Sequence, residues 1–492
     1  MPLPPFDSVI VGIAAYVYHY PVSPTSHPKA WQYARIALMD AMGCAIEAIS
    51  KSEDCRAMFG PVVPGTVTPN GFKLPGTSHQ LDPLKGAFDM GTAIRFLDHN
   101  DAIAGADWGH PSDNLGAILA VMDWLGRSSA NGKLEHHGPA LTIDTLLQAT
   151  IKSYEIQGCF LLRNAFNAHG LDHVILVKLA STAVVSWLLG LTEQQCHAAI
   201  SHVWMDGQPL RVYRSGVNTI PRKGWAAGDA CMKAVHLSLL TRAGQPGSPT
   251  VLTVPRWGFY ATSFGNKEFE FPKKYGTWVI EHIFFKLMPV EGHGVSAAEA
   301  ALIHSATLRA RGFNPIQNVA KVEIRTNAAA DLIINKKGPL SNAADRDHCM
   351  QYIVALVLLK GDIPAAQDFQ DNSPWATSPE LAALRKKIDI RPDEQLTRDY
   401  MDLEKRSLAA GITIYLNDGS SLNEVLIEFP VGHVQSPKTL ASLEQKYKRN
   451  MGLMFSEAEM ARARKAVENN GDMPVSDFLD MFTRETPILV KL

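Results

Sequence analysis

Residues 97–125 read LDHNDAIAGADWGHPSDNLGAILAVMDWL. The first twenty of them hold four carboxylates (Asp98, Asp101, Asp107, Asp113), two histidines (His99, His110), two asparagines (Asn100, Asn114) and Trp108. The rest is an apolar segment with helical character. Polar groups that dense, set directly ahead of a core element, are costly to bury without partners. The stretch reads as a solvated turn or as a site built on a loop and a helix start. Ser112 or Asp113 can cap a helix over 114–125, and Gly126 is placed to end it.

Outward from this stretch the chain is helical in both directions. Upstream, residues 8–18, 28–50 and 82–96 have helical character, and Ala34, Ala37, Leu38, Ala41, Met42, Ala45 and Ile46 recur at helical spacing. Residues 60–80, rich in Pro, Gly and Thr, form a connector. Downstream, helices are expected over 143–158, 172–189 and 224–242. Thr192 and Gln195 have the spacing of a capping box for a helix through Trp204. No strand is legible before Tyr275. Beyond it VAKVEIRTN (319–327) alternates as a strand does, and residues 411–430 read as a hairpin turning at Asn417–Asp418–Gly419. Helices over 346–359 and 379–388 lie between them, and 437–482 returns to helical periodicity. The fold class is therefore mainly α with a smaller α+β domain. A large helical domain comprises 1–275 and 433–492, interrupted by an α+β domain over 276–432.

Composition narrows the function. At 492 residues the chain exceeds one compact core. Its formal net charge of −2 provides no global field for nucleic acid or an anionic membrane. Six cysteines without a CxxC pair fit a reducing compartment and argue against zinc knuckles and disulfide frameworks. The longest apolar run, Val174–Leu191, contains Lys178 and reads as a core helix. The first residues have neither a basic region nor a cleavage pattern, so the cytoplasm is the expected compartment, with the mitochondrion as the alternative.

Three further clusters carry candidate chemistry. In GLDHVILVK, Asp172 precedes His173 at a helix start, where the dipole favours the neutral imidazole. In IPRKGWAAGDA, Arg222 and Lys223 sit just before a helix and can meet a carboxylate. FFKLMPVEGHGV sets Lys286, Glu291 and His293 in a loop between apolar runs. The Asp345–His348 group is explained by capping and ion pairing. No Gly-rich dinucleotide motif, HExxH or GxSxG is present. The inventory suits proton transfer on a polycarboxylate, with cations holding the carboxylates while a histidine moves the proton.

The blocks RFLDHND, WGHPSDNLGAILAVMDWL, GLDHVILVKLASTAVV, RKGWAAGDA, WGFY and KKGPLSNAADRDHCMQY resemble the 2-methylcitrate dehydratase branch of the MmgE/PrpD family, in collinear order over about residues 30–480. The resemblance implies a helical domain with an α+β lid, a homodimer, a tricarboxylate substrate, and no metal or other cofactor. It implies Asp98, His110, His173, Lys223 and Lys286 as active-site residues, with Tyr213, Arg222, Glu291, His293 and Arg346 nearby. The reaction implied is loss of water from a 2-alkylcitrate. Lys223, Lys286 and Arg222 would clamp carboxylates, and His110 or His173 would take the proton. The other histidine, or Asp98, would assist hydroxide departure. A cis-aconitate-type decarboxylase and a non-catalytic homologue are the alternatives.

Two departures stand out. Where the branch reads close to DFNDTWLAAEWGHP, this chain has Ala102, Ile103 and Ala104 in place of Thr, Trp and Leu. A pattern like KISFPAEFH becomes KLMPVEGH, one residue shorter and with Gly292 for an aromatic. Both shrink groups beside the expected cleft. Either Ala102 and Ile103 contact a substrate alkyl chain longer than methyl, each buried methylene contributing about 0.8 kcal/mol, or substitutions elsewhere in the chain compensate for the lost volume.

Overall fold

The computed structural model describes residues 4–215 and 218–484. Among them no helix is long and apolar enough to cross a membrane. The chain is mainly helical, with one four-stranded mixed sheet. Local signals account for much of it. Asp82 accepts from the amides of Leu84 and Lys85 to start the helix Pro83–Arg95. Thr192 and Gln195 form the expected capping box of Glu193–Met205.

The helix after the opening stretch departs from expectation at both ends. It spans Leu115–Ala130 and runs through Gly126, stopping before Gly132 at φ +62°. A 3-10 turn, Pro111–Asn114, precedes it, and neither Ser112 nor Asp113 caps it. Ser112 instead donates its amide and hydroxyl to Asp101 Oδ1, and Asp113 Oδ1 accepts from Asn100. These side chains bind to one another inside the core rather than to the helix.

The sheet is built from β3 (Val319–Thr326), β4 (Ile388–Pro392), β5 (Ala410–Leu416) and β6 (Ser421–Ile427), in spatial order β4-β3-β5-β6. β3 pairs parallel with β4 and antiparallel with β5, and β5–β6 is the expected hairpin, with Gly419 at φ +87°. β4 falls partly within the segment read as a helix over 379–388. That helix ends at Arg385, and the chain turns into a short edge strand closed by Pro392. Two further short strands, β1 (Phe72–Lys73) and β2 (Gln80–Leu81), pair within the connector. The segment read as one helix over 346–359 is a turn, Ala343–Arg346, followed by Met350–Lys360.

Two hydrophobic cores result. One joins residues from Ile10 to Phe285 with Leu443–Phe482; the other gathers Met288 to Leu422. The 97–116 stretch crosses between them. Ile103 belongs to the helical core, whereas Ala102, Ala104 and Trp108 belong to the second. Polar residues in this stretch therefore lie on the junction.

Two devices hold that junction. Helices Pro83–Arg95, Leu115–Ala130 and Arg222–Arg242 approach through Gly91, Gly116 and Gly228. A Cβ on Gly116 would stand 2.6 Å from Gly91 Cα, and one on Gly91 3.0 Å from Gly228 Cα. The second device is Lys446, buried on the helix Thr439–Met451. Its ammonium donates to the carbonyls of His99 (2.7 Å) and Lys286 (2.8 Å) and pairs with Asp40 (2.7 Å). Lys446→Met would leave those acceptors unpaired in the core, and urea unfolding should show a loss of about 3–5 kcal/mol. A loss below about 1 kcal/mol would show that the tie is dispensable.

Candidate active site

The site forms where the helix Pro83–Arg95 ends. Asp98 follows with φ +52°, a conformation that costs a non-glycine residue energy and is kept where surroundings enforce it. Four residues on, Ala102 exchanges backbone hydrogen bonds with Phe284 (2.7 and 2.8 Å), which sets Lys286 beside Asp98. Lys286 Nζ donates to Asp98 Oδ1 at 2.5 Å and to its carbonyl at 3.2 Å. Arg95 Nη1 reaches the same Oδ1 at 2.5 Å. Asp98 Oδ2 has no hydrogen-bond partner; Lys223 Nζ and His348 Nε2 each lie 3.7 Å from it.

Burial alone would raise the Asp98 pKa. Arg95, Lys286, Lys223 and His348 outweigh burial and hold the carboxyl well below its ordinary range. Burial lowers Lys286 from its ordinary value, with Asp98 opposing.

His110 is placed by a bridge between Ile103 and Gly109. Its Nδ1 lies 2.7 Å from the Asp101 carbonyl, which can only accept, so Nδ1 carries the hydrogen. Nε2 then bears a lone pair, 4.0 Å from Asp98 Oδ1. Asp101 is itself held by Ser112 and by Tyr154 Oη at 2.6 Å. The His173 ring centroid is 5.8 Å from that of His110, and neither of its nitrogens has a hydrogen-bond partner. Burial, then Arg95 and Lys286, push His110 well below 6.5; burial, with Arg214 and Arg211, does so for His173 against the opposing pull of Asp172. Both imidazoles are therefore neutral near pH 7.

The cleft is small and nearly closed. Its walls carry four cations (Arg95, Arg211, Arg214, Lys286) against two carboxylates (Asp98, Glu291), with Trp108 and Ile333 as apolar walls. Arg95 Nε and Arg211 Nη1 are buried donors without hydrogen-bond partners, Arg211 Nη1 lying 3.9 Å from Asp107 Oδ1, whereas Arg214 donates to Asp172. Guanidinium donors left unbonded in a closed pocket fit an anionic substrate. Lys223 stands behind Asp98, donating to both oxygens of Asp347 (2.8 and 2.9 Å), with His348 Nδ1 2.6 Å from Asp347 Oδ1.

The sequence-derived residues divide into two groups. Asp98, His110, His173, Lys286 and Lys223 converge, and Glu291 lines the cleft. Six others lie elsewhere. Arg222 occupies the first turn of its helix rather than preceding it, over the Trp225 ring at 4.2 Å and 3.7 Å from Asp229. Tyr213 lies beneath Arg214 and Arg222, outside the cleft lining. His293 bonds Glu291 and packs against Trp108 from behind, ring centroids 4.7 Å apart. Arg346 is engaged by the Phe369 carbonyl and Asp371. Ala102 and Ile103 are fully buried, their backbones in bridges, and do not line the cleft. The space expected at Gly292 is taken by the Trp108 ring, which a Cβ there would overlap.

Sequence reasoning missed Arg95, Arg211, Arg214, Asp347 and His348. Arg95 stands three residues before Asp98 at a helix end, a spacing that pairs them. Arg211 and Arg214 lie on the 3-10 turn Arg211–Arg214, and nothing in their local sequence distinguishes them from surface cations.

Comparison with known proteins agrees with this architecture. The MmgE/PrpD N-terminal domain matches residues 11–272, and the MmgE/PrpD C-terminal domain matches 288–472. The chain is 59% identical to an alkylcitrate dehydratase from a fungal species, over 98% of this chain and 94% of that one. It is 50% identical to an alkylcitrate dehydratase of Talaromyces stipitatus, over 99% of each. With a 2-methylcitrate dehydratase of Escherichia coli it shares 45%, over 97% of this chain and 98% of the other. Nearly full-length matches at these identities, across both domains, place the chain in the MmgE/PrpD family.

Proposed function

We propose that this chain dehydrates a 2-alkylcitrate to the corresponding alkyl-cis-aconitate. The observation that carries the reading is the neutral His110, its Nε2 lone pair free, in a buried cleft whose walls hold more cations than carboxylates. Arg95 and Arg211, which keep unbonded donors, receive substrate carboxylates. His110 Nε2 takes the proton from the carbon α to one of them, and the cations stabilise the charge that spreads onto that carboxylate. The C–H electrons become the new double bond as the C–O bond on the neighbouring carbon breaks. The leaving hydroxide takes a proton from the Lys286 ammonium, whose pKa burial has lowered, and departs as water. Asp98 stays ionised and holds Lys286 in place, so it is no proton donor. His173, unbonded and neutral, packs beside the base.

The reaction needs no metal in this reading. Asp98, Asp347 and His348 are close enough together to hold a cation. Both carboxylates, however, already accept from Lys223 or from Lys286 and Arg95, which supply positive charge in the same place.

Turnover followed by absorbance of the conjugated product should persist after EDTA dialysis and release no carbon dioxide. His110→Asn is expected to lower kcat by a factor of about 10²–10⁴. Near-wild-type turnover in that variant would remove His110 as the base.

The pH profile follows from the depressed imidazoles. Protonation inactivates the base, so activity falls as pH drops through its pKa and is full above it. Because burial and the cations hold that pKa well below 6.5, the acid limb of kcat/KM should lie below pH 6.5. An acid limb at or above 6.5 would contradict a buried, cation-flanked base.

A further inference from the structure

Among the described residues, Trp108 and Ile333 are the only apolar side chains on the cleft wall; the rest of the lining is charged groups and imidazoles. The alkyl substituent is the one part of a 2-alkylcitrate that gains from such a wall. The Trp108 ring is held on several sides. Its Nε1 donates to Tyr400 Oη (2.6 Å), and that hydroxyl donates to the Gly105 carbonyl (3.0 Å). The His293 ring lies 4.7 Å away between centroids, and Phe284 meets the indole edge-on at 6.4 Å. The six-membered edge of the indole rests on Gly292, where a Cβ would overlap Cζ3 and Cη2.

The backbone at 292 does not itself require glycine. Gly292 opens the 3-10 turn Gly292–Gly294 and is not among the residues with positive φ. Its neighbours are pinned as well. The Glu291 amide donates to the Asp347 carbonyl (3.0 Å), and the Glu291 carboxylate accepts from the His293 amide (2.9 Å). A side chain at 292 would therefore displace the ring rather than the backbone. Tyr400, His293 and Phe284 around that ring are buried, so the side left open to it is the cleft.

We propose that Gly292 is a positioning residue that sets substituent specificity. Lacking a Cβ, it seats the Trp108 ring back in the wall, and the room so kept in the cleft takes substituent carbons beyond the methyl. Gly292 touches no substrate and acts through Trp108. The inference rests on the alkylcitrate reading above and adds which residue decides the size of the substituent.

The test measures kcat/KM for 2-methyl- and 2-butylcitrate in the wild type, Gly292→Ala, Trp108→Phe and the double variant. The quantity read is the butyl-to-methyl ratio within each protein, which a general loss of folded enzyme leaves unchanged. Gly292→Ala should lower the ratio by about tenfold or more, because the ring is pushed into the cleft. Trp108→Phe, which removes the overlapped edge of the ring, should raise it. In the Trp108→Phe background, Gly292→Ala should then leave the ratio where Trp108→Phe alone puts it. An unchanged ratio in Gly292→Ala would overturn the proposal, as would the same drop with and without Trp108, or a wild type that turns over 2-methylcitrate but not 2-butylcitrate. Should Gly292→Ala fold poorly, Trp108→Phe alone decides: a raised ratio supports the proposal and an unchanged one overturns it. Absence of dehydration with both alkylcitrates in the wild type would instead overturn the proposed reaction, so the two failures are distinct.

Discussion

One carboxylate is the point on which the site depends. Asp98 sits in the core junction with φ +52° and accepts from Arg95 of the helical domain and from Lys286 of the segment joining the two cores. Lys223 and His348 stand within 4 Å of its free oxygen. Like charges gathered in a poorly hydrated space repel strongly, and without Asp98, burial would lower the pKa of Lys286 unopposed by its partner. With it, Lys286 is held charged and Arg95 is fixed in place, which is the condition for stabilising charge that develops on a substrate carboxylate.

The rest of the 97–116 stretch serves that arrangement. Asn100, Asp101, Ser112, Asp113, Tyr154, Asn114, Gln157 and Ser181 bond mostly to one another, forming a buried lattice behind the cleft. Burial raises Asp101 to about 6 and Asp113 to about 7, so these acids are partly protonated near neutrality while Asp98 is not. Two kinds of carboxylate a few residues apart thus have opposite fates, set by whether cations or neutral donors face them. Lys446, reaching in from the helix Thr439–Met451, ties the backbone at His99 to that at Lys286 and fixes the spacing of Asp98 and its lysine.

Much of this was legible in the sequence because it depends on local pattern. The helices before residue 275, the Thr192 capping box and the β5–β6 hairpin follow from periodicity, capping and turn chemistry. The family blocks identified Asp98, His110, His173, Lys223 and Lys286. What was not legible depends on contacts distant in sequence. β4 is five residues long and exists because β3 offers an edge. Arg211, Arg214 and His348 enter the cleft from elements whose sequences read equally well as surface loop or helix cap. The small residue at 292 looked like empty space, yet the Trp108 ring occupies it, and Ala102 and Ile103 are buried away from the cleft. A sequence records which side chain is small, but the neighbour that occupies the space beside it is visible only in three dimensions.

That Asp98 keeps Lys286 charged is tested most directly by the pH–rate profile of Asp98→Asn, with folding checked by circular dichroism. Removing the anion takes away the interaction that raises Lys286 against burial. The account predicts an alkaline limb moved to lower pH by a unit or more, with kcat lower by about 10² or more at neutral pH. A profile superimposable on that of the wild type, with kcat within a few-fold, would contradict it.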